Sequence, residues 1–323
     1  MSMLELSMNT LYRNLKIAVI VPCYNEEMSV ATVISQFRQH LPEADIYIFD
    51  NNSKDKTAFI AKEQGAHVHL VQLKGKGNVV RRMFSDVEAD VYVMVDGDAT
   101  YDATAAKAMI DKLVDDRLDM VVGCRKENGD AATYRQGHRL GNKMLTGTVT
   151  TIFKGQFTDM LSGYRAFTRR YVKSFPCLSR GFEIETELTI HALELRMRYG
   201  EVETSYGERP EGSVSKLSTY KDGVKILKTI IKLYMTERPF YFFLLISTLL
   251  VIISLFLGLP ILWEYENTGL VPRFPTAILS SAIMTIAIIS FVCGIILESV
   301  TMGRREMKAL FYLNAGNGIG NNK

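Results

Sequence analysis

Residues 16–27 read KIAVIVPCYNEE, a short β-branched run closed by Pro22 and followed at once by polar side chains. A run this short and apolar on both faces predicts a strand buried inside a parallel sheet, not a helix. MSVATVISQFRQHL (28–41) then has helical spacing, and Pro42 marks its end. The alternation continues with a strand at 46–50 (IYIFD), a helix near 56–64, a strand at 66–73, a helix at 78–88 and a strand at 91–96. A helix over 102–116 and the strand MVVG (120–123) complete it. Strands alternating with helices imply right-handed crossovers, hence an α/β domain with a mostly parallel sheet and helices on both faces. Such sheets bind ligands at the carboxyl ends of their strands. Asn25 and Glu26, Asp50 and Asn51, and Asp96 and Asp98 all fall at predicted strand ends, so three polar clusters converge on one edge.

The chain of 323 residues is 47% hydrophobic and 23% charged, which excludes intrinsic disorder and fibrous repeats and suggests about two domains. A net charge of +3 is too small to indicate a nucleic-acid partner. Cys23, Cys124, Cys177 and Cys293 have neither disulfide-framework nor zinc spacing, which favours a reducing compartment. MSMLELSMNTLYRNLK at the start lacks the basic and apolar regions of a signal peptide, so the front domain is expected to stay unexported.

The apolar residues are unevenly spread. Residues 239–263 and 274–297 contain no charge, and each run exceeds the roughly 20 apolar residues that cross a bilayer as a helix. Before them, Lys221, Lys225, Lys228 and Lys232 form one stripe of a predicted helix over 219–238. A solvated face explains such a stripe, and so does a helix lying on anionic lipid; the adjacent span favours the lipid. The loop EYENTGLVPR between the spans carries little positive charge, whereas Arg304, Arg305 and Lys308 follow the second span. The positive-inside rule then places the catalytic domain and both termini in the cytoplasm of a multi-pass inner-membrane protein. The expected organisation is an extension over 1–15, a catalytic domain over 16–218, the surface helix, the two spans and a tail over 298–323. Association into a homo-oligomer is compatible with this plan.

VYVMVDGDATYD (91–102) carries the strongest chemical signal. Asp96 and Asp98, on either side of the permissive Gly97, can hold one Mg²⁺ or Mn²⁺ with positions left for phosphate oxygens. Such an ion neutralises charge on a diphosphate leaving group. A polar turn is the plainer explanation of an isolated DxD. VPCYNEE and DNNSKDKT add acceptor groups for a base or ribose, although capping alone accounts for Ser53, Asp55 and Thr57. LKGKGNVVRR offers Lys76 between two glycines, a candidate phosphate contact and a poor dinucleotide fingerprint.

Together, VPCYNEE, DNNSKDKT, GKGNVVR, DGD, VVGCRK, DMLSGYRAF and ERPEGSVSKLS resemble the family 2 glycosyltransferases of GT-A fold. More narrowly, they resemble the polyprenyl-phosphate glycosyltransferases of the dolichol-phosphate mannose synthase type, over about residues 16–218. The resemblance implies a nucleotide-sugar site from Pro22, Tyr24, Asn25, Glu26, Asp50, Asn51, Lys76, Asp96, Arg125 and Glu183. Asn51 stands where a second acid is usual, which leaves the base open. Asp96 and Asp98 match the metal motif, and Asp159 falls where relatives place a proposed base. Arg139, Arg165, Arg209, Ser215 and Lys216 match the set around the acceptor phosphate. Asp159 either abstracts a proton or orients Arg165 or the acceptor, and an Asp159–Arg165 ion pair is the structural alternative. Glu183, Glu185 and Glu187 also suit a helix start. His67, His69, His138 and His191 read as structural.

The implied function is inverting transfer of a hexose from a nucleotide-diphospho-sugar, a UDP-sugar being favoured, to undecaprenyl phosphate. A processive polysaccharide synthase is the first rival, but its QxxRW motif is absent; Trp263, the sole tryptophan, lies in a span. A non-catalytic membrane adaptor that binds nucleotide sugar is the second.

Overall fold

The computed structural model describes residues 15–126, 157–181, 183–207 and 235–316, together with 146, 147, 149, 153, 155, 228 and 231–233. The chain divides into two compact units, residues 1–223 with 308–323, and residues 224–307.

The first unit is built on β1 (Ile17–Cys23), β2 (Asp45–Asp50), β3 (His67–Leu70), β4 (Val91–Met94), β5 (Met120–Lys126), β6 (Arg165–Thr168) and β7 (Tyr199–Ser205). They form a seven-stranded sheet in the order β3-β2-β1-β4-β6-β5-β7. β1 lies parallel to β2 and to β4, so chain order reverses at β1 and opens a crevice at its carboxyl end. The helices are α1 (Val30–His40), α2 (Thr57–Glu63), α3 (Lys76–Asp86), α4 (Ala105–Asp115), α5 (Arg169–Ser174) and α6 (Ile184–Glu194). The mostly parallel sheet expected from sequence is present. Among the described residues, β6 is the one strand antiparallel to its neighbours, pairing with both β4 and β5.

One face of the sheet packs Ile17, Val19 and Val21 of β1 against Val33, Ile34 and Phe37 of α1 and Met109, Ile110 and Leu113 of α4. Burying each such side chain stabilises by about 1.5–3 kcal/mol relative to exposing it. Elsewhere, Phe84 of α3 meets Tyr92, Phe167 and Phe175 edge-on, which is a favoured aromatic geometry. His67 and His69 stack on Tyr47 and Phe49, in agreement with a structural role. His191 is buried against Ser174 Oγ at 3.0 Å, and burial pushes its pKa down to about 3. His138 lies outside the described residues. Residues 308–316 belong to this unit. Lys308 Nζ is 2.6 Å from Glu194, Tyr312 donates to Asp119 Oδ2 at 3.0 Å, and the Arg170 guanidinium lies over the Tyr312 ring.

The second unit contains α7 (Pro239–Thr268) and most of α8 (Phe274–Asn314). Both are long and apolar enough to cross a membrane. Pro239 occupies the first turn of α7, where no intrahelical N–H bond is needed, so it starts the helix without interrupting it. Gly269 ends α7 in the left-handed conformation, at φ 67°. α8 continues past the predicted end of the second span, through Arg304 and Arg305, to Asn314. Its buried residues Ser280, Ala287, Gly294 and Thr301 recur every seventh position. Ser247, Ser254 and Ile261 do the same on α7. Ser254 and Ser280 each donate to the other's carbonyl, and Ser247 donates to the carbonyl of Ala287. All of these but Ile261 are small; small residues with this period let two helices approach closely, and the serine hydroxyls fasten the contact. Of the lysine stripe, Lys228 and Lys232 are described, and both are helical and exposed.

Candidate active site

Three neighbouring strands deliver the predicted polar clusters to one edge, as the sequence implies. Each leaves the sheet through a residue in the left-handed region: Asn25 (φ 53°) after β1, Asn52 (φ 61°) after β2 and Ala99 (φ 56°) after β4. Asparagine tolerates this conformation, whereas alanine adopts it at a cost, so the DGD turn holds local strain. The first two loops are laced together. Asn25 N donates to Ser53 Oγ, Glu26 N to Thr57 Oγ1, Glu27 N to Asp55 Oδ2, and Lys54 N to Asn25 Oδ1. Ser53, Asp55 and Thr57 therefore brace the loop after β1. Ser29 Oγ ties the same loop to the DGD turn by donating to the Gly97 carbonyl at 2.7 Å. Pro22 lies in β1, and the Lys74 ammonium stands 5.6 Å from the centre of the Tyr24 ring.

Asp50 is 3% exposed at the end of β2. Its Oδ2 accepts from Ser53 N, while Oδ1 is buried with no hydrogen-bond partner among the described residues. A buried acceptor left open is costly, and an N–H or O–H of a ligand would satisfy it. Asn51 departs from its expected role as a nucleotide contact. Its Nδ2 donates to the carbonyls of Val71 and Leu73, and its Oδ1 accepts from Gly75 N at 2.7 Å. The amide is spent on shaping the 71–75 loop, a task that needs both a donor and an acceptor and that a carboxylate would fail.

That loop leads into Lys76. A Cβ on Gly75 would collide with the Arg180 carbonyl, and one on Gly77 with that of Ser179. These two glycines thus allow the close approach of the 179–180 main chain. Lys76 Nζ is 2.5 Å from Asp96 Oδ1 and 2.5 Å from Glu185 Oε1. Burial alone would lower its pKa, but the two carboxylates outweigh burial and hold it above the ordinary value. Glu185, 5% exposed on the first turn of α6, joins the site, whereas Glu183 stands exposed at the start of that helix. Three alternating acids occur in this stretch, and only the packing of α6 selects among them.

Asp98 is 5% exposed, and its Oδ1 accepts from the Thr100 hydroxyl at 2.6 Å. A Cβ on Gly163 would collide with Asp96 Oδ2, so only glycine leaves room for that carboxylate. Two hard carboxylates one residue apart suit Mg²⁺ or Mn²⁺, ions that complete their shells with phosphate oxygens and water. Among the described residues, no group of three or more His, Cys, Asp or Glu assembles as a metal cage.

Arg125, at the end of β5, forms a fork with Asp159, Nε to Oδ2 at 2.6 Å and Nη2 to Oδ1 at 2.7 Å. Burial would raise the Asp159 pKa, but hydrogen bonds and charge from Arg125 hold it below the usual carboxylate range. The fork fixes the guanidinium, which also lies 5.5 Å from the centre of the Tyr206 ring. Asp159 therefore pairs with Arg125, and the alternative pairing with Arg165 is not formed.

Arg165 requires a correction. Expected at the acceptor phosphate, it is fully buried at the start of β6. Its guanidinium donates to the carbonyls of Ser162, Met160 and Glu185 and to Thr189 Oγ1. Its charge is dispersed over main-chain oxygens, which pins the 160–162 turn to α6. Arg139, Arg209, Ser215 and Lys216 lie outside the described residues. Tyr101, unforeseen, accepts from Gly163 N at 3.0 Å and so holds the glycine that makes room for Asp96.

Comparison with known proteins bears on the family and the fold. The pattern described as Glycosyl transferase family 2 matches residues 18–175. The chain is 34% identical over 228 residues to the glycosyltransferase AglJ of Haloferax volcanii, covering 70% of this chain and 75% of that protein. It is 27% identical over 222 residues to a dolichyl-phosphate hexose transferase of the same organism, covering 69% of this chain and 95% of the relative. Glucosyl-3-phosphoglycerate synthase from Mycobacterium tuberculosis, solved with Mn²⁺, UDP and glucosyl-3-phosphoglycerate, shares the fold. Its TM-score is 0.57 at 19% identity, over 70% of this chain and 81% of that one. The protein is a GT-A-type glycosyltransferase, and the chain belongs to glycosyltransferase family 2. Within the family it resembles the polyprenyl-phosphate glycosyltransferases.

Proposed function

We propose that the protein transfers a hexose from a nucleotide-diphospho-sugar, a UDP-sugar being favoured, to undecaprenyl phosphate. The observation that carries this reading is the convergence of Asp50, Lys76, Asp96, Asp98 and Arg125 on one sheet edge, in a chain that also has two membrane-length helices. Donor recognition falls to the loops after β1 and β2, with Asp50 Oδ1 accepting from the base or ribose. Asp96 and Asp98 would hold a divalent ion, which supplies charge neutralisation for the departing diphosphate. Lys76 and Arg125 add fixed positive charge around the phosphates.

The lipid phosphate needs little activation. A phosphomonoester loses its second proton near pH ~6 and is mostly dianionic at neutral pH. Asp159, ionised and forked to Arg125, therefore serves as an orienting group. A phosphate oxygen forms a bond to C1 of the sugar as the C1–oxygen bond to the nucleoside diphosphate breaks. The electron pair leaves with the nucleoside diphosphate, and the β-linked polyprenyl-phosphate hexose remains. Arg139, Arg209, Ser215 and Lys216 are proposed to receive the acceptor phosphate. The two helices would anchor the enzyme in the inner membrane, with the sheet unit and both termini cytoplasmic. There, lipid confinement raises the effective concentration of the acceptor.

The test is incubation of detergent-purified protein with Mg²⁺, undecaprenyl phosphate and a panel of UDP- and GDP-hexoses, read by mass spectrometry. One lipid-linked hexose from one donor is expected. No lipid product from any donor, in a preparation that binds the nucleotide, would contradict the reading.

A further inference from the structure

The ammonium of Lys76 lies 2.5 Å from Asp96 Oδ1, an oxygen that a divalent ion on the DGD turn would also claim. The arrangement is held from several sides. Gly75 and Gly77 lie flush against the carbonyls of Arg180 and Ser179, which fixes the main chain of Lys76. Gly163 backs the other oxygen of Asp96. Glu185 supplies a second, buried carboxylate at 2.5 Å, on the first turn of α6 where the helix dipole favours negative charge.

We propose that Lys76 is a resident cation that occupies the metal motif until the donor arrives. It holds Asp96 in the donor-free enzyme and shifts onto Glu185 and the donor diphosphate when the divalent ion enters with the nucleotide. The inference rests on the reading that Asp96 and Asp98 hold that ion. An ammonium and a divalent ion on one partly buried carboxylate repel each other strongly, and the interior screens this poorly. The negative charge of the diphosphate relieves the repulsion, so ion and nucleotide bind together. Glu185 is the positioning residue for this exchange. Without it, Lys76 leaving Asp96 would have the diphosphate as its sole anionic partner, at a site where a buried charge needs close pairing.

The exchange predicts opposite effects from the two partners in the contact and can be read without turnover. Binding of Mn²⁺ is followed by the electron paramagnetic resonance signal of the free ion, alone and with saturating UDP or GDP. For the unaltered protein, Mn²⁺ affinity is expected to be at least tenfold higher with the nucleotide that binds. Lys76→Met should bind Mn²⁺ without nucleotide at least tenfold more tightly than the unaltered protein. Glu185→Gln should bind Mn²⁺ with nucleotide at least threefold more weakly, because Lys76 then leaves Asp96 for the diphosphate alone. Equal Mn²⁺ affinity with and without nucleotide in the unaltered protein, or no gain in Lys76→Met, would overturn the proposal. If Lys76→Met does not fold, unchanged affinity in Glu185→Gln overturns it equally. Failure of the underlying reading looks different: no Mn²⁺ binds with either nucleotide, or Asp98→Ala binds it as the unaltered protein does.

Discussion

The sheet unit and the helix pair use the same aliphatic residues in opposite places. In the sheet unit, Ile17, Val19, Ile20 and Phe37 are buried, and the polar groups gather at strand ends. In the helix pair, Leu249, Ile252, Phe256 and Ile288 are more than half exposed, while Ser254, Ser280, Ala287 and Thr301 are buried. Water drives large apolar groups inward, whereas between helices bathed in lipid there is no such drive. Close packing of small residues and inter-helix hydrogen bonds take its place. The inversion supports the bilayer as the surroundings of α7 and α8.

That contrast can be broken by substitution. Asp98→Ala should leave both packings intact and lower turnover by about 10²–10³-fold, measured as lipid product per unit time. Ile20→Ala should cost about 2–5 kcal/mol of stability in the sheet unit, whereas Leu249→Ala should cost less than about 1 kcal/mol. Denaturant unfolding and thermal melting in detergent check the pair, and equal losses would erase the distinction. Ala287→Leu should destabilise the helix pair by about 1–3 kcal/mol through overpacking, without altering nucleotide affinity of the sheet unit. A thermal melt and a nucleotide titration on one sample check both halves of that statement.

The smallest expected effect is a pH slope. His191, with its pKa pushed down to about 3 by burial, stays neutral in the folded protein at pH values where the unfolded chain, titrating near 6.5, takes up a proton. The unfolded state thus binds more protons, and stability falls as pH drops from about 6.5 toward 3, by at most about 1.4 kcal/mol per pH unit. Above about pH 6.5 the group contributes no slope. Unfolding midpoints at about pH 7 and about pH 5 should lie closer together in His191→Gln than in the unaltered protein.

How much of this was legible in the sequence depends on how local the cause is. β1 and β4 are continuous apolar runs, so strand and polar edge could be read directly from 16–27 and 91–102. β6 is four residues long and begins with an arginine, and nothing local says that this side chain turns inward. Its destination is set by carbonyls of Met160, Ser162 and Glu185, which only the fold brings together. Asn51 was legible as a polar strand end, but its attachment to the 71–75 loop depends on main-chain atoms more than a helix away in sequence. The seven-residue spacing of Ser247 and Ser254 in α7, and of Ser280, Ala287, Gly294 and Thr301 in α8, was present in the sequence. Helices that are apolar all round mask it unless residue size, rather than hydrophobicity, is followed.

The central claim is that the acceptor is a lipid phosphate that attacks without a base. It is tested most directly by the rate of nucleoside diphosphate release from the donor with undecaprenyl phosphate, with undecaprenol and with no lipid. The account predicts acceleration of at least about 100-fold by the phosphate, with the alcohol leaving release at its basal rate. Equal release in all three, or acceleration by the alcohol, would contradict it.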